Sequence, residues 1–154
     1  MTQHLKHTTL FFSLALLLAG LAPRAHAQTC SAATLAGKWS ETLTGTLLLP
    51  TGPVPVAAVI DATLNPNGTV FGTEGRSVGG DYANETFTGT FTINANCRGT
   101  ATVQFFEAGQ LVRTSVLTVV VDDNSNQFRG VQKSLTLPDG TQVPVVITVE
   151  GRKH

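Results

Sequence analysis

Apolar and polar residues alternate along most of the chain after residue 35, with the period of two that is typical of β-strands. The alternation is clearest in two segments, Thr86 to Ala95 and Thr141 to Glu150. In the first, Phe87, Phe91 and Ile93 share one face and threonines occupy the other. No stretch of about 12 residues has the apolar spacing of a helix, and the density of Thr and Val opposes one. The pattern therefore predicts an all-β protein.

Eight predicted strands follow one another, and most of them are joined by short turns. Their predicted bounds are Gly37 to Leu49, Val54 to Leu64, Thr69 to Ser77, Thr86 to Ala95, Gly99 to Phe106, Leu111 to Val121, Phe128 to Leu137 and Thr141 to Glu150. Asn65-Pro66-Asn67-Gly68 and Pro138-Asp139-Gly140 are strong turn signals. Glycines inside the strands, such as Gly72 and Gly89, permit the coiling that a small barrel needs. We predict an eight-stranded antiparallel up-and-down β-barrel, with a two-sheet β-sandwich as the alternative.

The first 27 residues have the features of a cleaved secretory signal peptide. Lys6 lies in a mildly basic start, Leu10 to Leu21 is a short apolar run, and Ala25-His26-Ala27 is a cleavage sequence of the A-x-A type. An apolar run of about 12 residues is too short to span a bilayer, which needs about 20. We expect residues 28–154 to form a single domain that is exported to a periplasm or out of the cell, with no membrane segment after cleavage.

Composition and charge exclude several classes of function. The 154 residues carry a formal net charge of +0, with 13% charged and 6% aromatic residues, which argues against a basic nucleic-acid binder and a disordered chain. Loss of residues 1–27 leaves a net charge of −2 and a single histidine, His154. One terminal histidine can build neither a Ser-His-Asp or Cys-His arrangement nor a His-rich metal site. The phosphate-binding loops GxxxxGK[ST] and GxGxxG are absent as well, so we expect no cofactor and no metal.

Cys30 and Cys97 are the two cysteines of the chain, and both follow the signal peptide. An even pair in an oxidising compartment predicts a disulfide, which would close a loop of 67 residues. A redox-active pair is the alternative, but it lacks the C-x-x-C spacing that tunes thiol pKa.

The segment Gly37-Lys38-Trp39 at the start of the first strand resembles the G-x-W opening of calycin barrels, the lipocalin and avidin superfamily. The resemblance implies that Trp39 closes one end of the barrel and that a basic side chain near the last strand packs over it, for which Arg152 is the candidate. The pattern C-x-x-x-x-L-x-G-x-W, with a later G-T-F-x-I-x-x-x-C, also resembles small exported bacterial barrels, and the general shape is similar to allene-oxide-cyclase-like barrels.

Strand alternation indicates which charged residues point into the barrel. Glu41 shares a face with Trp39 and Leu43, and Arg113 and Lys133 share faces with apolar residues of their own strands. We expect Glu41, Arg113 and Lys133 to line the interior and bind a ligand, with Gln104 and Tyr82 as weaker candidates. A single β-bulge in a strand would reverse this expectation for the residues beyond it.

Three functions fit these features. We rank first a non-enzymatic carrier of an apolar or amphipathic small molecule in the barrel interior. A structural or interaction module of the cell envelope with a filled core is second. A cofactor-free isomerase or cyclase is third, with Glu41 as acid–base and Arg113 or Lys133 as charge stabiliser. The sequence does not fix the oligomeric state or decide whether the protein is an enzyme, although it favours a protein without catalytic activity.

Overall fold

The computed structural model describes residues 29–154, which form β-strands apart from one short helix, one 3-10 turn and the connecting loops. The predicted signal peptide therefore lies outside the described residues, as does Gln28. The elements are α1 (Ala32–Leu35), β1 (Gly37–Leu49), β2 (Gly52–Leu64), β3 (Thr69–Val78), β4 (Asp81–Ile93), β5 (Arg98–Glu107), β6 (Gln110–Asp122), a 3-10 helix (Asp123–Ser125), β7 (Gln127–Thr136), β8 (Gln142–Val143) and β9 (Val145–Lys153). Among these residues no helix has the length and apolar character to cross a membrane.

The strands close into an eight-stranded antiparallel barrel in up-and-down order, which confirms the predicted fold. Each strand pairs with its neighbour in sequence, and β9 pairs with β1 to complete the ring. The eighth strand of the barrel consists of β8 and β9, which are separated at Pro144 because proline has no N–H to donate to the ladder. The sheet has no free edge, and the sandwich alternative does not apply.

One end of the barrel is covered by the N-terminal segment. Ser31 caps α1, and Leu35 at the end of this helix accepts a 2.9 Å hydrogen bond from Nε1 of Trp39. Trp39 is fully buried, and its ring packs on that of Phe128 with centroids 5.4 Å apart. The predicted disulfide is confirmed, since Cys30 is bonded to Cys97 and ties this segment to the loop between β4 and β5. We call this the closed end.

Two register shifts change which residues face inward. Pairing of β5 with β6 shifts between Phe105 and Phe106, and pairing of β6 with β7 shifts between Val116 and Leu117. In the second shift Lys133 is the extra residue of β7, because Gln132 pairs with Leu117 and Ser134 with Val116. Gln132 is buried and Lys133 is exposed, so the bulge places the lysine on the outer face.

Glycine allows two close approaches between neighbouring strands. A Cβ added to Gly72 would lie 2.0 Å from the carbonyl oxygen of Asp61, and one added to Gly89 would lie 2.2 Å from that of Thr102. Any larger residue at these positions would push the strands apart. These contacts fit the predicted role of strand glycines in tightly coiled barrels.

Candidate ligand-binding site

The barrel encloses a cavity of about 120 Å³. Most of its lining is apolar, and it includes Trp39, Phe87, Phe105 and Ile147. The polar lining residues lie on β1, β3 and β4 and, across the barrel, on β6 and β7: Glu41, Glu74, Arg76, Thr92, Arg113, Ser115 and Gln132. An enclosed apolar space with a few polar groups is the usual form of a small-molecule site.

Arg113 holds the centre of a buried ion-pair cluster. Its Nη2 donates to both carboxylate oxygens of Glu74 at 3.0 Å, and its Nη1 donates to Glu85. Arg76 donates to the same Glu85 carboxylate, from Nε at 2.9 Å. The Arg113 guanidinium also lies 3.7 Å from the centroid of the Phe105 ring, a cation–π contact.

This cluster satisfies charges that would otherwise be costly to bury. The side chains of Glu74 and Glu85 are 0% exposed, and that of Arg113 is 9% exposed. Burial raises the pKa of Glu74, and the positive charge of Arg113 opposes that rise. The two negative charges of Glu74 and Glu85 are thus balanced by the two positive charges of Arg76 and Arg113. Both guanidiniums are already paired with these carboxylates.

Glu41 is the interior carboxyl outside this cluster. It lies on the inner face of β1, two residues after Trp39, and is half-buried. No hydrogen bond or ion pair joins it to any other residue in the described part of the chain. Burial, and secondly the negative charge of Glu74, raise the pKa of Glu41 to about 8.

The interior contains functional candidates that the sequence analysis missed. Glu74 and Arg76 alternate with Val70 and Val78 along β3, and Glu85 alternates with Phe87 along β4. The period-of-two argument that selected Glu41 would have found Glu74 and Arg76, had it been applied to the predicted third strand. Glu85 lay outside the predicted strands, because the fourth was predicted to begin at Thr86 and β4 begins at Asp81. The pairing of Glu74 and Glu85 with Arg113 has no local signal, because Arg113 is 39 residues from Glu74 and 28 from Glu85.

Three of the predicted interior residues lie on the outer surface instead. Lys133 is exposed because of the β7 bulge, and Gln104 is exposed because its neighbours Val103 and Phe105 take the inner face. Tyr82 is 66% exposed, near the start of β4, and its hydroxyl donates to Asn84 at 2.8 Å. The expectation that these three side chains line the cavity is wrong.

Arg152 does not have the position that the calycin resemblance implies. It is exposed and pairs with outward-facing Ser40, whereas the buried Gly151 beside it faces the ring of Phe128. Trp39 is covered by Phe128 and by Leu35 at the end of α1, and not by Arg152. The basic residue that reaches the closed end is Lys153, whose Nζ donates to the carbonyl oxygen of Thr34 at 3.1 Å.

The end of the barrel opposite Trp39 gives the easier access to the cavity. Its apolar side chains are only half-buried: Leu47, Val54, Val78 and Val145. Arg76 belongs to this end, and its side chain is 22% exposed. At the closed end, by contrast, Leu35 and Val121 are 4% and 5% exposed.

A wider groove crosses the outer faces of β1 to β4 and the adjoining parts of β7 and β9. Outward-facing Ser40, Thr73 and Arg152 belong to its lining, and so do Glu41, Glu74 and Glu85. The groove is open to solvent along its length, so it cannot enclose a small ligand as the interior can. Within residues 29–154 no group of three His, Cys, Asp or Glu side chains is placed to hold a metal ion.

Comparison with known proteins supports the fold class. No protein-family model matches the chain, and no curated protein sequence matches it. The chain is similar to EF1p2_mFAP2b bound to DFHBI, at 12% identity and a TM-score of 0.58, with 83% of this chain and 98% of that chain covered. It is also similar to a redesigned β-barrel, mFAP1, bound to DFHBI, at 17% identity and a TM-score of 0.48, with 80% and 97% covered. At these identities the likeness concerns the fold alone, and the calycin resemblance is supported only as a general barrel type.

Proposed function

We propose that this protein is an exported carrier that binds one small apolar or amphipathic molecule inside its barrel. The observation that carries the proposal is the apolar cavity of about 120 Å³, into which the unpartnered carboxyl of Glu41 faces. The similarly folded EF1p2_mFAP2b was solved with a ligand, DFHBI, so a barrel of this type accommodates one.

The volume of the cavity limits the size of the ligand. An engineered cavity of about 150 Å³ lined by apolar side chains binds benzene. The present cavity of about 120 Å³ is similar, and drug-sized ligands need about 300 Å³ or more. The ligand is therefore a molecule with one ring or a short chain.

The two alternative functions have less support. A structural module with a filled core would leave no cavity of this size among its interior side chains. The isomerase or cyclase hypothesis assigns the stabilisation of developing charge to an interior cation. Arg113, the interior candidate for that role, is engaged by both Glu74 and Glu85.

Export is part of the proposal and has its own support. The Cys30–Cys97 disulfide is typical of an oxidising compartment. The signal sequence predicted for residues 1–27 would take the chain there. The intact mass of the protein secreted by its host tests this directly, since cleavage after Ala27 predicts a chain that starts at Gln28.

Toluene titration followed by tryptophan fluorescence tests the binding function. Trp39 is the only tryptophan of the sequence and lines the cavity, so its emission reports on occupancy. We expect saturable binding to the wild type and at least tenfold weaker binding to Ala101→Phe, which fills the cavity. The matched control is Ala57→Phe, because Ala57 is exposed on the outer face of β2.

Saturable toluene binding that Ala101→Phe abolishes and Ala57→Phe preserves would support an interior site. A wild-type protein that shows no saturable response would refute the carrier. Equal loss of binding in the two folded variants would place the ligand outside the cavity and refute it as well.

A further inference from the structure

The interior of the barrel contains one more carboxyl than it has guanidiniums. Glu74 and Glu85 are paired with Arg113 and Arg76, as described above, and Glu41 remains. Residues on the inner faces of the other strands are apolar or uncharged, so no further cation in residues 29–154 faces Glu41. With all five groups ionised, the interior has a net charge of −1.

Glu41 lies close to the cluster without joining it. In the sheet, Glu41 pairs with Ile60, and Ile60 pairs with Glu74, so the two carboxyls face inward from the same cross-strand row. Arg113 lines the same cavity, and its Nη2 is held by both oxygens of Glu74. Glu41 therefore faces a negative neighbour and lacks a positive one.

This arrangement decides which ligand charge fits. An anionic ligand would meet an excess of negative charge and no free donor cation, and its burial without a partner would be costly. A neutral ligand would leave the charge of an ionised Glu41 uncompensated, so it would bind beside the protonated carboxyl instead. A single positive charge beside Glu41 would balance the interior.

The surroundings of Glu41 suit an aromatic amine in shape as well. Trp39 precedes it on the same inner face of β1, and the Phe128 ring packs against Trp39 and covers Gly151, the cross-strand partner of Glu41. Aromatic faces attract an ammonium group, and flat apolar walls accept a ring.

We infer, on the basis of the proposed carrier function, that the ligand is a small monocationic amine with a single ring, whose ammonium group pairs with Glu41 while the ring fills the apolar cavity. The other titratable groups facing this position are Glu74, Glu85, Arg76 and Arg113, and they stay paired with one another.

The raised pKa of Glu41 supports this pairing and adds a second readout. With a pKa of about 8, the carboxyl of the empty protein is mostly protonated at pH 7. An ammonium ion that binds as a pair with the carboxylate must therefore displace that proton into the solvent. We expect the release of close to one proton for each amine bound at pH 7.

The test compares four probes of one size on the full mature chain: benzylamine, benzyl alcohol, benzoate and toluene. Affinities are measured by Trp39 fluorescence at pH 8.5, where Glu41 is largely ionised, for the wild type, for Glu41→Gln and for Glu150→Gln. Glu150 is the matched control because it is an exposed carboxylate on the outer face of β9. Calorimetry at pH 7 in phosphate and in Tris counts the protons released.

We expect benzylamine to bind at least tenfold more tightly than benzyl alcohol, and benzoate to bind most weakly. Glu41→Gln should remove both the preference for benzylamine over toluene and the proton release, because the amide carries no charge and does not titrate. Glu150→Gln should behave as the wild type.

Toluene binding without a preference for benzylamine would overturn this inference and leave the carrier proposal standing. The inference also fails if Glu41→Gln keeps the benzylamine preference, or if benzyl alcohol binds as tightly as benzylamine. If none of the four probes binds, the carrier proposal fails with it.

Discussion

Replacement of Glu41 by glutamine should stabilise the folded protein at high pH and change its stability little at low pH. The pKa of Glu41 is about 8 in the folded protein and near its ordinary value of 4.5 in the unfolded chain. Between these values the folded protein keeps a proton that the unfolded chain has released. Unfolding therefore becomes easier as the pH rises from about 4.5 to about 8. Glutamine has the same shape and no charge, so it removes this effect.

The size of the effect follows from the difference between the two pKa values. One pKa unit corresponds to about 1.4 kcal/mol, so a rise from 4.5 to about 8 corresponds to roughly 5 kcal/mol once Glu41 is fully ionised. Near pH 5 the same relation predicts that the free energies of unfolding of Glu41→Gln and of the wild type differ by less than about 1 kcal/mol. The repulsion between Glu41 and Glu74 is already included in this figure, because it is one of the two causes of the raised pKa.

Urea denaturation of the disulfide-bonded protein, followed by Trp39 fluorescence from pH 5 to pH 9, measures this difference. The free energy of unfolding of Glu41→Gln should exceed that of the wild type by an amount that grows with pH and levels off above about pH 8. Glu150→Gln provides the control and should show a flat difference, because Glu150 is exposed. If the difference between Glu41→Gln and wild type is the same at both ends of the range, Glu41 ionises normally and the reasoning is refuted.

Four further variants test the rest of the structure by denaturation at pH 7. Arg113→Met should cost roughly 3–5 kcal/mol because it leaves two buried carboxylates without their shared partner. Arg129→Met, which breaks an exposed ion pair, should cost much less than Arg113→Met, and equal costs would contradict the role of the buried cluster. Joint replacement of Cys30 and Cys97 by alanine should lower the free energy of unfolding by about 4 kcal/mol, because the disulfide closes a loop of 67 residues. An unchanged urea midpoint would argue against this contribution. Gly89→Ala should lower the free energy of unfolding by roughly 1–3 kcal/mol, because the alanine Cβ would lie 2.2 Å from a backbone oxygen of the next strand. An unchanged stability would mean that the strands move apart without penalty.

The candidate site was only partly predictable from the sequence. The inward position of Glu41 and Arg113 follows from strand alternation, which is a local property of an extended chain. Lys133 fails the same argument because one extra residue in β7 moves it to the other face, and no pattern in the sequence marks the bulge. Glu85 faces inward for the same local reason as Phe87, but its partner Arg113 lies 28 residues away and is brought to it by closure of the barrel.

The sequence by itself determined the number of strands, most of their turns and their order, because alternation and turn residues act over a few neighbouring positions. It did not determine where β4 begins, which is at Asp81 and not at Thr86. It also determined the disulfide, since Cys30 had no partner other than Cys97. Only the tertiary structure decided how the interior charges combine. The distances among Glu41, Glu74 and Arg113 depend on how the strands register around the ring, and burial in that ring is what changes the pKa values of the two carboxyls. The unpaired state of Glu41 is thus a property of the closed barrel.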